Sequence, residues 1–264
     1  MKKDKSALLL IDPQYDFCNP KGALYVPGSE GDIERISRLI SLHANAIDQI
    51  FVTLDTHHVI DIAHPMFWED PNGHVVAPFT LISLQSVQNG KWIPRYNKDA
   101  VIAYLAALEA EKSFKHFIWP EHCLIGSQGA SIDNKLLDAI LAWTHQTGKD
   151  YKAIPKGLNT MTEHFGIFKA QISLDNQTDT QLNQVLINQL ATFDRILIAG
   201  EARSHCVATS IQQILNFAPE LIKKSIVLTD CMSDVPNWGY LADPIFELAE
   251  KSGMIFTTSH QLQW

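Results

Sequence analysis

Short apolar runs alternate along this chain with segments of helical periodicity, and that alternation constrains the fold more than any other feature. The runs cover residues 6–11, 49–54, 116–119, 195–199, 225–229 and 254–257, each of strand length and rich in branched or aromatic side chains. Between them, residues 33–47, 100–108, 136–143, 182–190, 206–217 and 240–250 carry the apolar spacing of amphipathic helices. Strands that alternate with helices need crossover connections, which build a parallel sheet covered on both faces. The expected fold is α/β, a three-layer α/β/α domain with a central, mainly parallel six-stranded sheet, formed by residues 1–264 as a single domain. No G-x-G-x-x-G follows the first run, so a dinucleotide-binding reading has no support. Residues 65–99 break the rhythm with Pro, Asn, Gly and Trp and no sustained period, and read as a long insertion or lid.

Charge and cysteine usage exclude several classes of function. The 264 residues include 21 Lys and Arg against 29 Asp and Glu, a formal net charge of −8. No basic stripe is available to neutralise phosphates, which argues against nucleic-acid and anionic-membrane partners. The first apolar run stops at Asp12, too soon for a secretory signal, and no apolar window is long enough to span a bilayer. Cys18, Cys123, Cys206 and Cys231 are widely spaced with no C-x-x-C, so neither a disulfide scaffold nor a thiolate zinc site is indicated. The expectation is a reduced, cytoplasmic protein with free thiols.

In open α/β sheets ligands bind at the carboxyl ends of the strands. Here those ends carry Asp12, then Asp55-Thr56-His57, then Glu121-His122, then Glu201-Ala202-Arg203-Ser204-His205-Cys206. A lone free cysteine is more often a buried small hydrophobe than a nucleophile, and Cys18, Cys123 and Cys231 keep that reading. Cys206 differs, because it follows a strand-to-turn segment at the start of a helix. There the dipole and free N–H groups polarise a thiol toward thiolate and can hold an oxyanion. Asp12 could exchange a proton with it, and Lys156 could supply a tempering cation. His205 precedes Cys206 and is expected to point elsewhere. The D-x-H pair puts both side chains on one side of an extended chain, and with His64 and His122 it suits a divalent ion such as zinc, iron or manganese.

These motifs resemble the isochorismatase-like cysteine hydrolase family and, within it, are most similar to nicotinamidases. Leu9-Leu10-Ile11-Asp12-Pro13-Gln14-Tyr15-Asp16-Phe17-Cys18, followed by Gly22-Ala23-Leu24-Tyr25-Val26-Pro27-Gly28, is similar to the family's opening segment. Asp55-Thr56-His57 is similar to its metal motif, and Trp119-Pro120-Glu121-His122-Cys123 to its W-P-x-H-C segment. Lys156-Gly157 resembles the K-G pair with the catalytic lysine, and residues 200–207 resemble the nucleophile turn. At that turn Glu201, Arg203 and Ser204 stand where nicotinamidases commonly have apolar, Thr and Asp residues.

The resemblance implies the isochorismatase-like hydrolase fold and an Asp12, Lys156 and Cys206 triad. It further implies an oxyanion hole of the Ala202 and Cys206 N–H groups, with a cis peptide at Glu201–Ala202. One divalent metal ion, zinc foremost, is implied on Asp55, His57 and His122. His64 is a further candidate ligand with His58 as its competitor, and Glu163 a candidate for the ion's water shell. Phe17 and Trp119 are implied in the substrate pocket. The implied reaction is hydrolysis of nicotinamide to nicotinate and ammonia through a cysteine thioester, in NAD salvage. Another small carboxamide or a carbamoyl compound is the alternative, ahead of a non-catalytic binding module on the same fold. Apolar helix faces in such folds often pair across subunits, so a homo-oligomer is expected.

Overall fold

The computed structural model describes residues 4–112 and 114–264. Its central sheet consists of β1 (Ser6–Ile11), β2 (Gln49–Asp55), β3 (Lys152–Lys156), β4 (Arg195–Gly200), β5 (Ser225–Leu228) and β6 (Ile255–Thr257). The spatial order is β6-β5-β4-β1-β2-β3, with every neighbouring pair parallel. β1 lies centrally, with all six residues buried, which is why it reads as an unbroken apolar run.

The two-residue period of the strands divides the core. Ala7, Leu9 and Ile11 face one apolar layer with Phe51, Ile196 and Ile198, packed under α4 (Gln184–Ala191), α5 (Ala208–Phe217) and α6 (Asp243–Lys251). Leu8 and Leu10 face the other with Ile50, Val52 and Leu197, under α1 (Ser29–His43) and α3 (Asn134–Thr147). Among the described residues no helix is long and apolar enough to cross a membrane.

The sheet has six strands, but not the expected six. Residues 116–119 do not join it; His116–Phe117 pairs antiparallel with Leu81–Ile82 in a separate two-stranded sheet. The sixth place belongs to β3, whose Lys-Ala-Ile-Pro-Lys sequence is largely exposed and hides its strand character. A proline is tolerated there because β3 is an edge strand.

The non-periodic segment 65–99 belongs to an apolar cluster of its own. Phe67, Trp68, Val76, Ile82 and Val87 pack with Ile62, Ile118 and with Val101, Tyr104, Leu105 and Leu108 of α2 (Lys98–Glu111). Short pairings such as Trp68–Glu69 with Ile93–Pro94 organise it in place of long elements, so no extended period marks it in the sequence.

His116 is buried in this cluster between the rings of Trp68 and Tyr104, and its Nε2 lies 3.0 Å from the Ile62 carbonyl. Burial lowers its pKa to about 4. An unfolded histidine titrates near 6.5, so between these values the unfolded chain binds a proton that the folded chain refuses. Stability is therefore full above pH ~6.5 and falls as pH drops toward 4, by up to about 3 kcal/mol from this group. Urea unfolding across that range should show a shallower pH slope in His116→Gln, by the equivalent of one proton.

Candidate active site

Asp12 follows β1 directly, with φ 45° in the left-handed region that a non-glycine residue adopts at a cost. Thr53 supports it from β2: its Oγ1 accepts the Asp12 N–H at 3.0 Å and donates to Asp12 Oδ1 at 2.6 Å. Gln14 ties the ends of the same two strands, its side-chain amide donating to Asp55 O and accepting from Asp55 N, both at 2.7 Å. Lys156 closes β3 opposite Asp55.

The Lys156 ammonium lies 2.9 Å from Asp12 Oδ2 and 2.9 Å from Asp55 Oδ1, and donates to the His164 carbonyl at 2.7 Å. Cys206 Sγ is 3.8 Å from the same nitrogen. All four side chains are buried. Burial disfavours the ammonium, yet Asp12 and Asp55 outweigh it and hold Lys156 well above the lysine range. Asp55 is buried too, but Lys156 and His57 hold it well below the usual carboxylate range. Burial raises the Asp12 carboxyl, with Lys156 opposing and Asp55 adding to the rise. The Cys206 thiol is also pushed well up by burial, against the pull of Lys156. The resting group is therefore a thiol, where the helix-terminus argument leads toward thiolate. Burial of the sulfur accounts for most of the difference, and the Asp12 and Asp55 carboxylates add to it.

The turn that presents Cys206 begins at Gly200, where φ is 121° and a β-carbon would lie 2.1 Å from the Ile11 carbonyl oxygen. Only glycine lets β4 run this close to β1 while turning. The Glu201–Ala202 peptide is cis, and Arg203–Val207 forms one π-helical segment that leads into α5.

The second constellation adjoins the first through Asp55, whose Oδ2 lies 3.1 Å from His57 Nε2 and 3.6 Å from His122 Nε2. His64 joins them: ligand atoms of His57, His64 and His122 all lie within 4.8 Å of one another, and all three residues are buried. Each Nδ1 meets a protein oxygen, Asp61 Oδ2 at 3.1 Å for His57, His58 O at 2.9 Å for His64, and Pro120 O at 2.8 Å for His122. A carbonyl can only accept, so His64 and His122 donate through Nδ1, and His64 Nε2 lies 3.3 Å from His122 Nδ1. Burial, with His122 and His57 nearby, lowers the His64 pKa to about 3, leaving it neutral. Imidazoles oriented through their far nitrogens and grouped with a carboxylate are the donor set of a divalent metal site. His58 contributes its carbonyl to this arrangement while its ring is exposed.

Both constellations open on one cavity of about 400 Å³ including its mouth, lined by Phe17, Asp55, Trp119, His122, Glu163, Ala202 and Cys206, among others. Glu163 faces it, and burial raises its carboxyl to about 8. His205, expected to point away, also lines the cavity, because the π-helical segment turns its ring inward against Trp119 and Phe165. His122 arrives by a loop, paired beside His57 through His57 N to Cys123 O at 3.1 Å, and not from a strand of the central sheet. Sequence reasoning missed Thr53, Asp61, Phe165 and Val235. Of these only Asp61, four residues after His57, leaves a spacing that could have drawn notice.

Replacing Lys156 leaves two buried carboxylates without their counter-charge. Lys156→Met should destabilise the protein by about 3–5 kcal/mol in urea unfolding.

No family model matches the chain. It is 27% identical over 224 residues to the nicotinamidase of Saccharomyces cerevisiae, covering 84% of this chain and 85% of the relative. The yeast nicotinamidase Pnc1p structure superposes with a TM-score of 0.65 at 22% identity, covering 96% of this chain and 99% of that one. A Pyrococcus horikoshii pyrazinamidase in complex with zinc gives 0.57 at 17% identity, covering 96% and 99%. At these identities the two structures speak for the fold alone. The chain is therefore similar to nicotinamidases in sequence over most of its length, and it shares the fold of the solved nicotinamidase and pyrazinamidase structures.

Proposed function

We propose that the chain is a metal-dependent cysteine amidohydrolase that converts nicotinamide to nicotinate and ammonia, returning the pyridine ring to NAD synthesis. One observation carries this reading: Cys206 opens on the same small cavity as Asp55 and His122 of the metal donor set, and the Lys156 beside its sulfur binds both Asp12 and Asp55. The same pairing supports turnover of a small carboxamide over simple binding, because a binding module has no use for a buried Asp12–Lys156 pair at a thiol.

In the proposed reaction Asp12 takes the Cys206 proton as sulfur attacks the carboxamide carbon. Burial keeps the Asp12 carboxyl basic enough for this step, and the Lys156 ammonium balances the negative charge that moves between them. The N–H groups of Ala202 and Cys206 are assigned to the oxyanion. Asp12 returns the proton to the departing ammonia, leaving a thioester, and then takes one from the water that releases nicotinate and frees Cys206. Phe17 and Trp119 are assigned to packing on the ring, and Glu163 to water near the imidazoles. Asp55, His57, His64 and His122 would hold a divalent ion, zinc foremost, which when bound would supply Lewis-acid chemistry beside the substrate ring.

Purified protein given nicotinamide should release ammonia and nicotinate in equal amounts; no release with zinc, iron or manganese supplied rejects the substrate. Cys206→Ala should lower kcat by roughly a thousandfold or more without unfolding the protein. Elemental analysis should find one divalent ion per chain, lost in His57→Ala and His122→Ala. A chelator should abolish turnover reversibly.

A further inference from the structure

Glu201, Arg203 and Ser204 are the positions where the nucleophile turn departs from the pattern it resembles, and the amide chemistry above uses none of their side chains. In the structure all three reach one segment, residues 233–243. Glu201 Oε2 accepts the Ser233 N–H at 3.0 Å, the Arg203 N–H donates to Ser233 O at 2.8 Å, and Ser204 Oγ accepts the Val235 N–H at 3.1 Å. The Arg203 guanidinium reaches further. Its Nη1 donates to both Asp234 carboxylate oxygens, at 3.0 and 3.2 Å, and to Gly239 O at 3.4 Å. Its Nη2 donates to Asp243 at 2.5 Å, and its plane lies 4.8 Å over the Phe246 ring.

That segment supplies part of the amide pocket. Val235 lines the cavity beside Ala202 and Cys206. Trp238 packs against two lining residues, His205 at 5.1 Å and Trp119 at 5.6 Å between ring centroids. Ser204 also acts on His205. Its hydroxyl accepts from Val235 N and lies 2.9 Å from His205 Nδ1. His205 Nε2 has no hydrogen-bond partner among the described residues. The ring is neutral, since burial lowers its pKa to about 4. A threonine at 203 could not span to Asp234, Asp243 and Phe246, and an alanine at 204 would leave both the Val235 N–H and His205 Nδ1 unmatched.

We propose that Arg203 and Ser204 are positioning residues for substrate: they fasten the Val235–Trp238 wall to the turn that carries Cys206 and orient His205 within the pocket. The role in binding rests on the amide-hydrolase reading, whereas the fastening of the wall does not.

The test uses the full-length, metal-loaded protein and the variants Arg203→Thr, Arg203→Lys and Ser204→Ala. Two quantities are read, steady-state kinetics with nicotinamide and acrylamide quenching of Trp238 emission, taken as the difference from the same variants carrying Trp238→Phe. In Arg203→Thr and Ser204→Ala, KM should rise about tenfold while kcat stays within about twofold. Arg203→Lys should fall between, because an ammonium reaches one of the two carboxylates and cannot bridge both. Trp238 quenching should increase in the same order. A lower melting temperature with unchanged KM and unchanged quenching overturns the proposal, as does a fall in kcat at constant KM. Should the wild type fail to hydrolyse nicotinamide, the substrate reading falls. The quenching series would still decide the fastening, since unchanged quenching in Arg203→Thr rejects it. Arg203→Lys keeps the positive charge, so it separates loss of the bridge from loss of the charge.

Discussion

The buried Lys156 ammonium holds this site together. It touches the carboxylates of Asp12 and Asp55 at 2.9 Å each and stands 3.8 Å from the Cys206 sulfur. Three strand ends, those of β1, β2 and β3, could not bring two acidic groups this close in a water-poor interior without a cation between them. The lysine also separates two tasks. Asp55, held low in pKa, stays ionised toward the imidazoles, while Asp12, raised by burial, is able to exchange protons. Two carboxylates of the same kind thus acquire different chemistry from their surroundings.

Asp55 is the joint between the two constellations because its two oxygens face different partners. Oδ1 faces Lys156, and Oδ2 faces His57 and His122. Around the imidazoles, every Nδ1 is engaged by an oxygen supplied from elsewhere in the chain. Such outer contacts fix ring orientation before any ion arrives, which lowers the cost of assembling the donor set. Gly157 serves the same geometry from the other side: a β-carbon there would lie 3.0 Å from Asp55 Oδ1, so the residue after the lysine has to be small.

The parts of the fold that were legible in the sequence are those that water and the core decide locally. β1 is buried on both faces and reads as a continuous apolar run, and the helices carry a periodic apolar stripe toward it. β3 was not legible as a sheet member, because an edge strand with a proline and two lysines buries little and announces nothing. Residues 116–119 misled in the opposite direction. Their apolar character serves the cluster around Trp68 and Tyr104, which no local pattern distinguishes from a sheet. The inward turn of His205 leaves no sequence signal, because it depends on a π-helical segment where the local pattern reads as a regular helix start.

By itself the sequence determined the α/β class, the strand-end placement of Asp12, Asp55, His57 and Cys206, and their likeness to a hydrolase family. These follow from periodicity and from short motifs whose residues are neighbours in the chain. Tertiary structure alone decided that Lys156 bridges two carboxylates, that His64 rather than the ring of His58 joins His57 and His122, and that Val235 lines the pocket. Each of these depends on groups far apart in the chain meeting at one edge of the sheet, and on how burial shifts their charges once they meet.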